Sequence, residues 1–224
     1  SKDSRYYVDS QGNKINRTGN VSHGIFDDMP NELYTMYQDS MKALSDNFEI
    51  GNGFDRVIKD LITGEQLSAQ QYNELFPSIA VEMFEDVLSL NVIIPEYIDR
   101  IATHHGFTTY DVLTSDHPIK TLINSKIESV GTPDIWIVSG NQIVFIDVKT
   151  LSIKAREINL DHPVGAAYLV SQNIYKLGAE QLGLEVKGLY LMPVEVTKDK
   201  QATTEATVID YHIHAPQALK FVDV

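Results

Sequence analysis

Two short apolar runs, Ile135-Trp136-Ile137-Val138 and Ile143-Val144-Phe145-Ile146-Asp147-Val148, flank the tripeptide Ser139-Gly140-Asn141. Both are rich in branched residues, and glycine beside asparagine between such runs reverses the chain tightly, so the segment is predicted to be a β-hairpin. The hairpin has a chemical consequence. Strand side chains alternate faces, so Asp147 and Lys149 point the same way. Pro133-Asp134 stands where the first strand begins, beside the end of its antiparallel partner. Closing the turn at Gly140 therefore brings Asp134 near Asp147 and Lys149.

Two carboxylates on rigid strands suit a hard divalent cation that keeps several water positions, the arrangement Mg²⁺ or Mn²⁺ favours. A neighbouring ammonium orients or deprotonates water and offsets developing negative charge. Together these groups point to phosphodiester hydrolysis. Other chemistries lack their parts. The chain has no cysteine, which removes disulfides, thiolate nucleophiles and Cys-ligated zinc. It has no Gly-x-Ser-x-Gly elbow, phosphate-binding Walker loop or dinucleotide fingerprint. His104-His105 stand about 100° apart on a helix, so one ion cannot use both, and the pair reads as surface or capping residues.

With 18 Lys and Arg against 31 Asp and Glu, the formal charge of −13 disfavours clinging to nucleic acid through bulk charge. Recognition must come from a local site. Lys149, Lys154 and Arg156 after the second strand, with Lys176 beyond, are the candidate backbone-tracking groups. A weaker second contact for single strands is Tyr6, Tyr7, Lys14 and Arg17.

The 224 residues suit one domain. Tyr6 to Ile15 reads as a small hairpin around Gly12-Asn13. Apolar spacing predicts a helix from Asn31 to about Ile50, stopped by Gly51-Asn52-Gly53, then helices over Phe54 to Ile62, Ala69 to Phe76 with Ser68 as N-cap, Ile79 to Leu90, and Pro95 to about His105. Linkers are expected near Gly106 to Pro118 and Thr197 to Thr204. From about Lys126 strands take over, with a helix from His162-Pro163 to Leu182 ended by Gly183, then strands at Val186 to Pro193 and Thr207 to Ile213. The expected fold is α/β or α+β, a mainly helical part over 1–125 followed by a sheet core over 126–224. Neither a signal-peptide run after Ser1-Lys2-Asp3-Ser4-Arg5 nor a bilayer-length apolar stretch is visible, so a soluble cytoplasmic protein of a bacterial cell or phage-infected host is expected.

Pro133-Asp134, twelve intervening residues and Asp147-Val148-Lys149, set on the two arms of a hairpin, resemble the motif of the PD-(D/E)xK nuclease superfamily. Gly131 before the first acid and Thr150 after the lysine are similar to the RecB-like and mitochondrial genome maintenance exonuclease branches. The resemblance covers roughly Glu128 to Pro193 and implies a restriction-endonuclease-like core, with Asp134 and Asp147 as metal ligands and Lys149 as the catalytic lysine. It further implies Thr150, Gln172 and Tyr175 near the substrate, although two residues separate Gln172 from Tyr175 where those families usually have three. An upstream helix often adds a further metal ligand in such nucleases, for which Glu85 is preferred over Glu82. Glu128 competes as the third acid, since it shares strand parity with Asp134 if no bulge intervenes. The resulting expectation is a Mg²⁺- or Mn²⁺-dependent deoxyribonuclease, an exonuclease acting on DNA ends or single strands. The alternatives are a structure-specific or restriction-like endonuclease, and a non-catalytic nuclease-like binding or assembly module.

Overall fold

The computed structural model describes residues 6–24, 35, 48–114, 117–152, 163–196 and 212–213. Most of the helix expected from Asn31 to Ile50, the basic pair Lys154 and Arg156, His162, and the linker expected over 197–204 lie outside the described residues.

The chain opens on the expected hairpin, β1 (Tyr6–Val8) and β2 (Lys14–Arg17), whose turn is closed by Asp9 Oδ1 accepting from the backbone of Gln11 and Asn13 at 2.9 and 2.8 Å. Gly12 supplies the left-handed residue there, at φ +85°. A short helix α1 (Thr18–Gly24) follows directly.

Helix α2 spans Phe48–Thr63 and ends before Gly64, a left-handed residue. The expected break at Gly51-Asn52-Gly53 does not occur. Gly53 lies inside α2 because a Cβ there would sit 2.5 Å from Ile79 Cδ1, so the missing side chain serves close helix packing rather than termination. Helix α3 (Ala69–Leu75) starts as expected, with Ser68 and Gln71 forming a capping box. Helix α4 (Val81–Leu88) is shorter than expected and continues into a 3₁₀ turn, Ser89–Asn91. Helix α5 (Ile93–His104) carries Pro95 in its first turn, where an N–H would find no helical acceptor anyway.

The linker expected near Gly106 to Pro118 holds a strand, and a second strand follows it before Lys126. These are β3 (Asp111–Thr114) and β4 (Ile119–Ile123), and β5 (Ile127–Gly131) pairs antiparallel with β4. Asn124 and Ser125 both have positive φ, as a tight hairpin requires. The central hairpin is β6 (Ile135–Ser139) and β7 (Gln142–Ser152), with Gly140 left-handed at its turn. Helix α6 (Pro163–Gln181), β8 (Glu185–Val196) and β9 (His212–Ile213) complete the described elements.

The strands form two mixed sheets in an α/β fold, ordered β1-β2-β5-β4 and β3-β6-β7-β8-β9. Helix α6 is the crossover between the parallel strands β7 and β8. One face of the larger sheet, with Ile135, Ile137, Val144, Ile146, Tyr190 and Met192, packs on α2, α4 and α5 through Phe54, Phe84, Ile94 and Ile98. The other face, with Trp136, Ile143, Phe145, Leu189 and Leu191, packs on Leu169, Tyr175 and Ala179 of α6. The near-continuous apolar sequence of β6 and β7 follows from this double covering.

Candidate active site

Ile135 pairs with Ile146 across the central hairpin, and continuing that register places Asp134 opposite Asp147. The Asp134 carboxylate turns back onto the sheet, its Oδ2 accepting the Val148 N–H at 2.8 Å. Asp147 lies on the α6 face of β7 and is only 7% exposed. Lys149, two residues on and on the same face, places its ammonium on Asp147 Oδ2 and 4.8 Å from the centre of the Tyr168 ring. The expected convergence of two acids and a lysine is thus present at the end of the hairpin remote from its turn.

Helix α2 brings a third carboxylate that the sequence reading did not single out. Asp55 is an electrostatic neighbour of Asp134 and Lys149, and Lys59, one helical turn on, contacts Asp55 Oδ2 at 2.5 Å and stands 3.7 Å from Asp134 Oδ1. The other Asp55 oxygen, Oδ1, is buried and makes no hydrogen bond. Tyr168, Gln172 and Tyr175 fall on one stripe of α6 by helical spacing. Both tyrosines are electrostatic neighbours of Asp147 and Lys149, so this stripe faces the acid pair. Gln172 is 1% exposed, yet neither its Oε1 nor its Nε2 has a partner. Gly131 is what lets α6 approach: a Cβ there would lie 2.5 Å from Thr18 Oγ1 and 2.6 Å from Tyr175 Cε1.

The remaining candidate acids make other contacts. Glu82 and Glu85 are exposed on α4, whose inward face carries Phe84 and Val87 instead. Glu85 acts on Asp86, whereas the carboxylate that raises the pKa values of both Asp55 and Asp147 is Asp134. Glu128 is exposed on β5 and pairs with Lys120 at 2.9 Å. Its parity with Asp134 does not carry over, because β5 belongs to the smaller sheet and the chain changes sheets between Gly131 and Ile135. The third acid at the cluster is therefore Asp55, and not Glu82, Glu85 or Glu128. Thr150 continues β7 opposite Val194 of β8. Lys176 pairs with Glu180 at 3.7 Å on α6. His105 is the C-cap of α5, with Nε2 2.6 Å from the Tyr190 hydroxyl.

Crowding of acids in a dry site shows in their proton affinities. Burial, reinforced by the Asp134 charge, pushes Asp147 up to about 7 despite Lys149. Burial and Asp134 likewise push Asp55 up to about 6 against the pull of Lys59. Burial works against the Lys149 ammonium, but Asp147 and Asp134 outweigh it and hold its pKa above the ordinary lysine value. Burial and the two acids raise Tyr175 as well. Lys149 is accordingly a standing cation and not a ready base, able to orient water and offset negative charge.

Three carboxylates, one with an orphaned buried oxygen, are the hard oxygen donors that Mg²⁺ or Mn²⁺ takes. Among the described residues no group of three or more His, Asp or Glu is already arranged around a single cation position. Asp55 and Asp147 instead have an oxygen on a lysine ammonium, and Lys59 stands near Asp134 as well.

No protein-family model matches the chain, and no curated protein is significantly similar to it. The crystal structure of SSO0001 is similar over 82% of this chain and 87% of that one, with 11% identity and a TM-score of 0.27, a likeness too slight to carry an argument. Among the described residues, no helix is long and apolar enough to cross a membrane.

Proposed function

We propose that this protein is a Mg²⁺- or Mn²⁺-dependent nuclease of the PD-(D/E)xK kind that hydrolyses DNA, acting at ends or on single strands. The observation that supports this reading most is the facing of Asp134 and Asp147 across the hairpin end, with Lys149 beside them and Asp55 arriving from α2. Asp55, Asp134 and Asp147 would hold the ion. When bound, it supplies Lewis acidity, drawing charge from a phosphate oxygen and acidifying water. The chain's own groups supply the rest. Lys149, beside the acids, would orient the attacking water and offset charge on the phosphate. The Tyr168 ring, 4.8 Å from the lysine ammonium, adds a cation–π contact that helps to direct it. Gln172, buried with both amide atoms unpartnered, stands on the α6 stripe that walls the acid pair.

The test is cleavage of end-labelled linear DNA and of covalently closed circles with Mn²⁺, by the parent chain and by Asp147→Asn and Lys149→Ala. Loss of cleavage in both variants is expected, with linear DNA degraded and circles spared. Cleavage of circles points to the endonuclease alternative, and full activity in either variant refutes the mechanism. The second reading, a nuclease-like binding module without hydrolysis, is favoured by the lysine contacts that already occupy carboxylate oxygens. Absence of Mn²⁺ uptake by the parent chain in calorimetry would support it.

A further inference from the structure

Lys59 is an unusual member of this cluster. It follows Asp55 by one helical turn, yet it is no solvated surface pair: its side chain is 18% exposed and its ammonium reaches from α2 toward the sheet. It contacts Asp55 Oδ2 at 2.5 Å and stands 3.7 Å from Asp134 Oδ1, so one positive charge is shared between acids from two separate elements. A divalent ion held by Asp55 and Asp134 would need the same space, and two cations a few ångströms apart repel each other. The charge balance agrees. Three carboxylates with Lys149 alone leave two negative charges, the amount a divalent ion neutralises, whereas Lys59 removes one of them.

We propose that Lys59 is a displaceable internal cation, lying between Asp55 and Asp134 in the metal-free protein and exchanged for the divalent ion on binding. The inference rests on reading the three acids as a metal site. Lys59 is then a positioning residue that keeps repelling carboxylates together until the ion arrives, at the expense of ion affinity. Removing its charge while keeping its stem tightens divalent binding.

Calorimetric titration of Mn²⁺ into the full chain and into Lys59→Met and Lys59→Arg tests this, with thermal unfolding in EDTA confirming that each is folded. Lys59→Met is expected to bind Mn²⁺ at least tenfold more tightly than the parent, and Lys59→Arg within threefold of it. If Lys59→Met does not fold, Lys59→Gln takes its place. Equal or weaker Mn²⁺ binding by the uncharged variant, with uptake by the parent, overturns the exchange and leaves the metal reading standing. No uptake by any of the proteins overturns both.

Discussion

Replacing Asp55 with Asn separates stability from chemistry at this site. The Asp55 carboxyl is raised from 3.8 to about 6, principally by burial and then by Asp134. A shift of that size corresponds to about 3 kcal/mol against the ionised form. Because the side chain is 34% exposed, solvent screening reduces this to roughly 1–2 kcal/mol. The sign follows from proton affinity: folded Asp55 binds its proton more tightly than unfolded Asp55, so its contribution is greatest below pH about 4 and is lost as pH rises through about 6. Asparagine, nearly the same shape and never ionised, escapes that loss. In EDTA at pH 8, Asp55→Asn is expected to exceed the parent by roughly 1–2 kcal/mol, or about 3–6 °C in Tm for a domain of this size. The difference should shrink to about a third of that by pH 4.5 and close below about pH 4. Manganese should reverse the order at pH 8, since the ion stabilises whichever protein binds it more tightly. The assay is thermal and urea unfolding at both pH values, with EDTA and with Mn²⁺. A variant less stable than the parent at pH 8 in EDTA, or one with an equal advantage at pH 4.5, would refute the electrostatic account of Asp55.

Gly178→Ala places a methyl against Thr121 Oγ1 and Ile119 Cγ2 where α6 meets β4, and is expected to cost about 1–3 kcal/mol in urea unfolding; a loss under 0.5 kcal/mol would mean that the helix shifts freely. Tyr72→Phe deletes a buried hydroxyl that donates to Asp60 Oδ2 at 2.9 Å and accepts the Leu67 N–H at 3.2 Å, with about 1–3 kcal/mol lost by the same measurement. Glu82→Gln with Glu85→Gln is expected to leave both Mn²⁺ affinity and DNA cleavage within twofold of the parent, and a tenfold loss in either would return one of those acids to the site.

The parts of the site legible in the sequence are those joined by short-range geometry. Asp134, Asp147 and Lys149 lie on two arms of one hairpin, so a glycine turn and strand alternation suffice to bring them together. Residue type alone did not single out Asp55, because a polar stripe on an amphipathic helix looks the same whether it meets water or a site. Glu82 and Glu85 form such a stripe, and so do Asp55 and Lys59. The alternation Ile119, Thr121, Ile123 and the turn at Asn124-Ser125 were visible signs of the β4–β5 hairpin, although strands were expected only from about Lys126.

What the chain's own order determined is the central hairpin, the turn residues that close it, and the acid pair with its lysine, since all follow from periodicity and a reversal only a few residues long. Tertiary structure decided which helix supplies the third carboxylate, and why Gly53 and Gly131 carry no side chain. It also decided that a second lysine stands among the acids. Each depends on surfaces far apart in sequence meeting within a few ångströms, and local propensity holds no record of such a meeting.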